Sequence, residues 1–290
     1  MAELRPLSEL SFAERLNFLA TNRVPRVALT RFMGWFSKLE NPLIRGVSIG
    51  VWRACVDDLR LFEAKKNRFK SLHDCFVREL KDDARSIDTD VALVSPCDAI
   101  VGEFGDLRGV EALQAKGFAY SLDELLGDPD LAERYRDGRF ITLRLKSSMY
   151  HHFHAPCDGA VETVNFISGD TWNVNPIALK VVERLFCENE RVVVPLSRDN
   201  GAPILLIAVA AILVASVRLH GVEVALNQNY RGGNRIAVGR RYRRGEQIGH
   251  FEHGSTIIAI TDRSLRFCDD VVTNRLIRMG QPLMQASKRN

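Results

Sequence analysis

Three short segments of this 290-residue chain join a reactive side chain to residues that bend or constrain the backbone. They are Ser95-Pro96-Cys97-Asp98-Ala99, Tyr150-His151-His152-Phe153-His154-Ala155-Pro156-Cys157-Asp158-Gly159, and His253-Gly254-Ser255-Thr256. Together they supply a carboxylate, imidazoles and a hydroxyl, the set that acyl-transfer chemistry uses as acid, base and nucleophile. Singly, each is weak. An Asp after Pro is commonly a turn residue, and Gly-Ser-Thr is commonly a loop. The three histidines invite a metal reading, but on a regular strand His152 and His154 share one face while His151 points to the other. One ion would take all three only across a bulge, and no further ligands are evident, so no metal is assigned. Pro156 interrupts strand pairing just beyond His154 and permits the bend that would bring His151 and His154 to one site.

The elements that must position these groups fall into two parts. Residues 1 to about 85 read as amphipathic helices, with Phe12, Leu16 and Leu19 on one face and a second set, Leu29, Phe32, Met33 and Phe36, after Pro25. Over residues 1–70 there are 13 Lys/Arg against 7 Asp/Glu, although the whole chain carries only +4. Basic helices bearing Trp35, Phe36 and Trp52 suit an anionic lipid interface, and the same apolar stripe would equally serve to pack on the rest of the chain. From about residue 90 the pattern turns to short β-rich runs: ALVSP, AIVGEFG, RFITLRL, GAVETVNFI, RVVVPL, GVEVALN and STIIAI. Helical interruptions are expected in SLDELLGDPDLAERYRDG, where Ser121 and Glu124 have capping-box spacing, and around Ile177 to Phe186. The hydrophilic stretch Asn227 to Gln247 reads as an exposed loop or turn region whose RRYRR cluster could meet phosphates, although a solvated basic turn is the commoner reading.

The expected fold is therefore α+β: a β-dominated catalytic core, residues 86–290, preceded by an N-terminal helical membrane-associating region, residues 1–85. The run Ala202 to Val217, APILLIAVAAILVASV, is short for a bilayer span, contains Pro203 and is rich in β-branched residues, so it reads as buried strands. The six cysteines are scattered without metal or redox spacing and read as reduced thiols, and the acidic start MAELRPLSEL lacks the pattern of a secretory signal. Nothing points to nucleic acid.

The segments SPCDAIV, KGFAYSLDELLG, YHHFHAPCDGAV, GEQIGHFEHGSTIIAI and MGQPLM, with FVRELKDDARSID ahead of them, occur in the order seen in bacterial phosphatidylserine decarboxylases, and the chain resembles that family from about residue 10 to residue 285. The resemblance implies a proenzyme that cuts itself between Gly254 and Ser255, giving chains 1–254 (β) and 255–290 (α) that stay associated. Asp98 would orient His154, and His154 would deprotonate Ser255 for attack on the Gly254 carbonyl, turning the amide into an ester. Elimination and hydrolysis would then leave a covalent pyruvoyl group at residue 255 and release ammonia. Its ketone would condense with the substrate amine as a Schiff base and accept the electron pair left by CO2, yielding phosphatidylethanolamine. His151 would manage the replacing proton. The implied setting is a homodimer of cleaved protomers, peripheral on the cytoplasmic face of the cell membrane, with phosphatidylserine and an anionic surface as partners. Three residues depart from the family pattern: His253 before the scissile bond, Ala99 for a Gly that would tolerate positive φ, and His152 for a frequent Arg. Three other readings stand beside this one. They are a serine hydrolase using Asp98, His154 and Ser255 on external substrates, an uncleaved homologue that only binds membranes, and a decarboxylase of soluble amino acids.

Overall fold

Two apolar segments decide the architecture. The computed structural model describes residues 4–56, 58–114, 118–199, 203–212, 216–252 and 255–287. In it, Ile204–Ala210 and Ser255–Thr261 are neighbouring antiparallel strands in which every residue is buried. Unbroken apolar runs without polar alternation are what a strand covered on both faces requires. These two strands occupy the middle of an eight-stranded antiparallel sheet. Its order is Arg235–Tyr242, Gly159–Ile167, Arg191–Leu196, Ile204–Ala210, Ser255–Thr261, Arg139–Leu145, Ala99–Asp106 and Leu276–Ile277.

Alternation along each strand sends side chains to two separate cores. On one face Leu143, Val192, Ala208 and Ile257 meet Phe153, Val217 and Phe251. The last three come from a four-stranded sheet of Leu226–Asn227, Ser216–Leu219, Gln247–Phe251 and His152–His154. On the other face Val193, Ile207, Val209 and Ile258 pack under short helical pieces through Leu122, Leu125, Leu185 and Phe186. Each such fully buried aliphatic side chain contributes about 1.5–3 kcal/mol, so the central strands are the most firmly held part of the molecule. The apolar run Ala202–Val217 thus resolves into parts of two strands, and no helix among the described residues is long and apolar enough to cross a membrane.

The N-terminal part carries helices α1 (Phe12–Asn22), α2 (Arg26–Phe36), α3 (Pro42–Cys55) and α4 (Leu72–Phe76), and no α-helix is described between Val56 and Ser71. A capping box that the sequence reading passed over opens α1: Glu14 N–H donates to Ser11 Oγ at 3.2 Å and Ser11 N–H to Glu14 Oε2 at 3.1 Å. The face formed by Phe12, Leu16 and Leu19 is exposed, and α1 docks instead through Phe18, which is fully buried among the residues of the second core. Arg26 at the start of α2 grips Asp170 at 3.2 and 2.5 Å and lies over the Trp172 ring at 3.7 Å.

Two local expectations are corrected. Ser121 caps its helix through Asp123 N–H at 3.1 Å, while Glu124 turns to Arg184 at 2.6 Å, so no capping box closes there. The supposed loop Asn227–Gln247 contains the edge strand Arg235–Tyr242, which pairs with Gly159–Ile167. Its arginines are what an exposed sheet edge uses to resist further pairing, and that pattern imitates a loop in the sequence. Ala99 opens an extended strand and is not among the residues with positive φ, so its Cβ carries no cost.

One buried group is out of place in this apolar interior. Glu190 immediately precedes the strand Arg191–Leu196, is fully buried, and its carboxyl oxygens have no hydrogen-bond partner among the described residues. Burial pushes its pKa from 4.5 up to about 9, so the folded protein keeps a proton there that the unfolded chain releases. Stability from this site is fully present below about 4.5 and is lost as pH rises toward 9. Glu190→Gln, which keeps the shape and removes the titration, should therefore gain melting temperature over the native protein progressively between pH 5 and pH 8. Parallel melting profiles for the two proteins would show that the carboxyl is not held neutral.

Candidate active site

Ser255 is the first residue of its strand, with Leu145 opposite it on one side and Ala210 on the other. Ladder partners on both sides fix its backbone. The side chain is fully buried and its Oγ has no hydrogen-bond partner among the described residues, an unusual state for a buried hydroxyl. Ser255 also lines a cavity of about 940 Å³, bounded by Met33 and Phe36 of α2, Val51 and Trp52 of α3, and the turn after Leu145. His253 and Gly254, expected to flank the scissile bond, lie outside the described residues.

The histidine segment runs beside the chain that leads into Ser255. Phe251 N–H donates to the His151 carbonyl at 3.0 Å, and His152–His154 pairs with Gln247–Phe251 across a register shift between Gln247 and Gly249. Gly249 is needed there because a Cβ would meet the Arg218 carbonyl at 2.2 Å and the Phe153 ring at 2.9 Å. His151 is fully buried, and its Nδ1–H donates to the Met149 carbonyl at 2.8 Å, which leaves Nε2 as the basic nitrogen. Its ring lies 4.2 Å from that of Phe76, which stacks on Trp52 at 5.5 Å. Phe76 and Trp52 both line the cavity, so His151 sits one aromatic layer behind its wall.

His154 lies three residues further along, at the other end of the strand. Its Nδ1–H donates to the Gly245 carbonyl at 2.9 Å and its Nε2 accepts the Tyr150 hydroxyl at 3.0 Å. Burial pulls its pKa down to about 4, only partly offset by the Gly245 hydrogen bond and by the field of Asp98, so the ring is neutral at physiological pH. Asp98 approaches through the backbone, because His154 N–H donates to the Pro96 carbonyl at 2.8 Å. Its carboxylate, however, is clasped by Arg85 through Nε at 3.0 Å and Nη2 at 2.5 Å, and accepts Met279 N–H at 2.9 Å. Arg85 in turn reaches Glu63 at 3.0 Å, and Glu63 pairs with Arg60 at 2.7 Å.

The structure thus brings Asp98 and His154 to one neighbourhood and His151 to the vicinity of the Ser255 cavity. The direct hydrogen bonds expected from Asp98 to His154 and from His154 to Ser255 are not formed: Arg85 takes both Asp98 oxygens, and Gly245 and Tyr150 occupy both nitrogens of His154. The sequence reading missed Arg85, whose 13-residue separation from Asp98 gives no local signal, and gave Tyr150 no role of its own. It also passed over Glu252, just before the undescribed pair. Burial opposes ionisation of Glu252, but Lys38 at 3.4 Å, Arg218 at 3.5 Å and His73 at 3.9 Å hold its pKa below the usual range.

Comparison with known proteins bears on the same segments. A sequence model of the phosphatidylserine decarboxylase family matches residues 72–285. The phosphatidylserine decarboxylase proenzyme of Vibrio cholerae serotype O1 is 34% identical over 276 residues, spanning 89% of this chain and 94% of that protein. The proenzyme of the same name from Chromobacterium violaceum is 32% identical over 283 residues, 93% and 99% of the two chains. That from Saccharophagus degradans is 31% identical over 281 residues, 92% and 96%.

Proposed function

The chain belongs to the phosphatidylserine decarboxylase family, and from that premise we propose that it releases the headgroup carboxyl of phosphatidylserine as CO2 and leaves phosphatidylethanolamine. The observation that carries this reading is the position of Ser255, a buried hydroxyl with no hydrogen-bond partner among the described residues, at a largely apolar cavity roomy enough for part of a lipid. Self-cleavage between Gly254 and Ser255, into chains 1–254 and 255–290, would convert this residue to the pyruvoyl group. A hydroxyl with no structural task fits that fate, since its loss leaves no buried donor or acceptor unpaired. The pyruvoyl group supplies the electron sink for the pair left by departing CO2.

The remaining chemistry belongs to the chain's own side chains. His154, neutral and with Nδ1–H fixed on Gly245, presents Nε2 as the base for Ser255 Oγ once the Tyr150 hydroxyl gives way. Asp98, held by Arg85, acts on His154 through its field, which favours the imidazolium formed when the proton is taken. His151, its Nδ1–H held on Met149, would first take up a proton on Nε2 and, as the imidazolium, deliver that proton to the carbon that loses CO2. Ser255→Ala should give one full-length chain without decarboxylase activity, and activity in that variant would sink the pyruvoyl assignment. His154→Ala should arrest cleavage, whereas Tyr150→Phe, which removes only the competing hydroxyl, should cleave at least as fast as the native chain. Normal processing of His154→Ala would remove that histidine from the reaction.

Residues 1–85 supply the route for the lipid in this reading. Val47 and Val51 both line the cavity and are more than half exposed, so the cavity opens between the helices. Beside that opening Phe32, Trp35 and Leu43 are 52%, 60% and 75% exposed, an apolar surface next to a basic region. Phe36 and Trp52, grouped with Trp35 in the sequence reading, instead line the cavity. A peripheral association with an anionic bilayer covers this surface and lets an acyl chain pass from membrane to cavity. Replacing Phe32 and Trp35 together with Ser should weaken sedimentation with phosphatidylglycerol-containing vesicles by about tenfold or more. Unchanged sedimentation would show that the surface does not meet lipid.

A further inference from the structure

Arg144 is set apart from the other arginines in the interior. Arg78, Arg85 and Arg191 all donate to internal carbonyls or carboxylates. Arg144, half-buried on the strand Arg139–Leu145, makes no hydrogen bond or ion pair with any described residue. Burial lowers its pKa, with no carboxylate among the described residues to offset the effect. The residue stands opposite Thr256, the neighbour of Ser255, and lines the same cavity. That lining includes Lys146 as a second cation and, among the described residues, no Asp or Glu. Desolvating a guanidinium without a partner is costly, and a site that maintains such a group is complete only when an anion enters.

We infer that Arg144 binds the phosphodiester of the phospholipid headgroup. This rests on the phosphatidylserine reading and names the group that holds the substrate in place. The headgroup offers two anions, the phosphodiester and the carboxylate. Pairing a cation with the carboxylate would stabilise the ground state of the very group that must leave as neutral CO2, raising the barrier. Pairing it with the phosphodiester, whose charge is unchanged by the reaction, holds substrate and transition state alike. The planar fork of Arg matches two phosphate oxygens. In the substrate the phosphorus is three bonds from the carbon that carries the amine, so its ligand belongs beside residue 255, and the strand register puts Arg144 opposite the adjacent residue.

The test uses self-processed protein and nonionic detergent micelles carrying phosphatidylserine, with phosphatidylethanolamine or inorganic phosphate added as competitor. Arg144→Met loses no partner among the described residues, so it should fold and process normally. It should raise KM for phosphatidylserine by about tenfold or more while kcat stays within a few-fold, with Arg144→Lys intermediate. Phosphatidylethanolamine keeps the phosphodiester and lacks the carboxylate, so its inhibition should weaken by the same factor. Unchanged KM would overturn the assignment. Raised KM with undiminished inhibition by phosphatidylethanolamine would also overturn it, by placing the carboxylate on Arg144. Inorganic phosphate should compete poorly in the native enzyme, and inhibition as strong as that by the lipid would make this a general anion site. A native, processed enzyme that leaves phosphatidylserine untouched would instead refute the decarboxylase reading, which the Arg144 variants cannot do.

Discussion

The strand Ser255–Thr261 has hydrogen-bonded neighbours along both edges and apolar packing on both faces, and the rest of the molecule is arranged around that enclosure. It settles where residue 255 sits: at the mouth of the most constrained strand, where the backbone cannot drift and one side chain reaches the cavity edge. It also bears on how a cut chain would hold together. After cleavage ahead of Ser255, the C-terminal piece would still supply the central strand, the edge strand Leu276–Ile277, and Pro282–Ala286, which pairs with Leu93–Val94. Seven ladder positions link Ser255–Thr261 to Arg139–Leu145 alone, so association would need no covalent bond.

The polar machinery follows a different logic from the core. Asp98 is clasped by Arg85, Arg85 also reaches Glu63, and Glu63 pairs with Arg60, so the buried carboxylate is held by a chain of charged partners. His154 is kept neutral by burial and held in one tautomer by a backbone carbonyl. In the proposed reaction His154 would take the proton, and the Tyr150 hydroxyl on its Nε2 is the contact that would have to yield first.

Much of this was legible in the sequence, for identifiable reasons. The doubly covered strands announced themselves because apolar runs without alternation have few other soluble solutions, and the Asp98, His154 and Ser255 segments carried family spacing. What stayed hidden depended on distant partners. No local pattern ties Arg85 to Asp98 or leaves Arg144 without a partner among the described residues, and nothing near Glu190 signals that its carboxyl is buried without a hydrogen bond among them. The edge strand Arg235–Tyr242 was hidden because the arginines that protect a sheet edge read as loop. The packing side of α1 was misjudged because the wide apolar stripe faces outward, while the helix is buried through Phe18 and the polar Asn22.

The central claim is that Ser255 becomes the reactive group, and the intact mass of the purified protein under denaturing conditions tests it most directly. The account predicts two species, residues 1–254 and 255–290, with the smaller about 17 mass units below a serine-started peptide, the loss of one ammonia. A single species at the full mass of 290 residues, or a C-terminal fragment still beginning with serine, would contradict it.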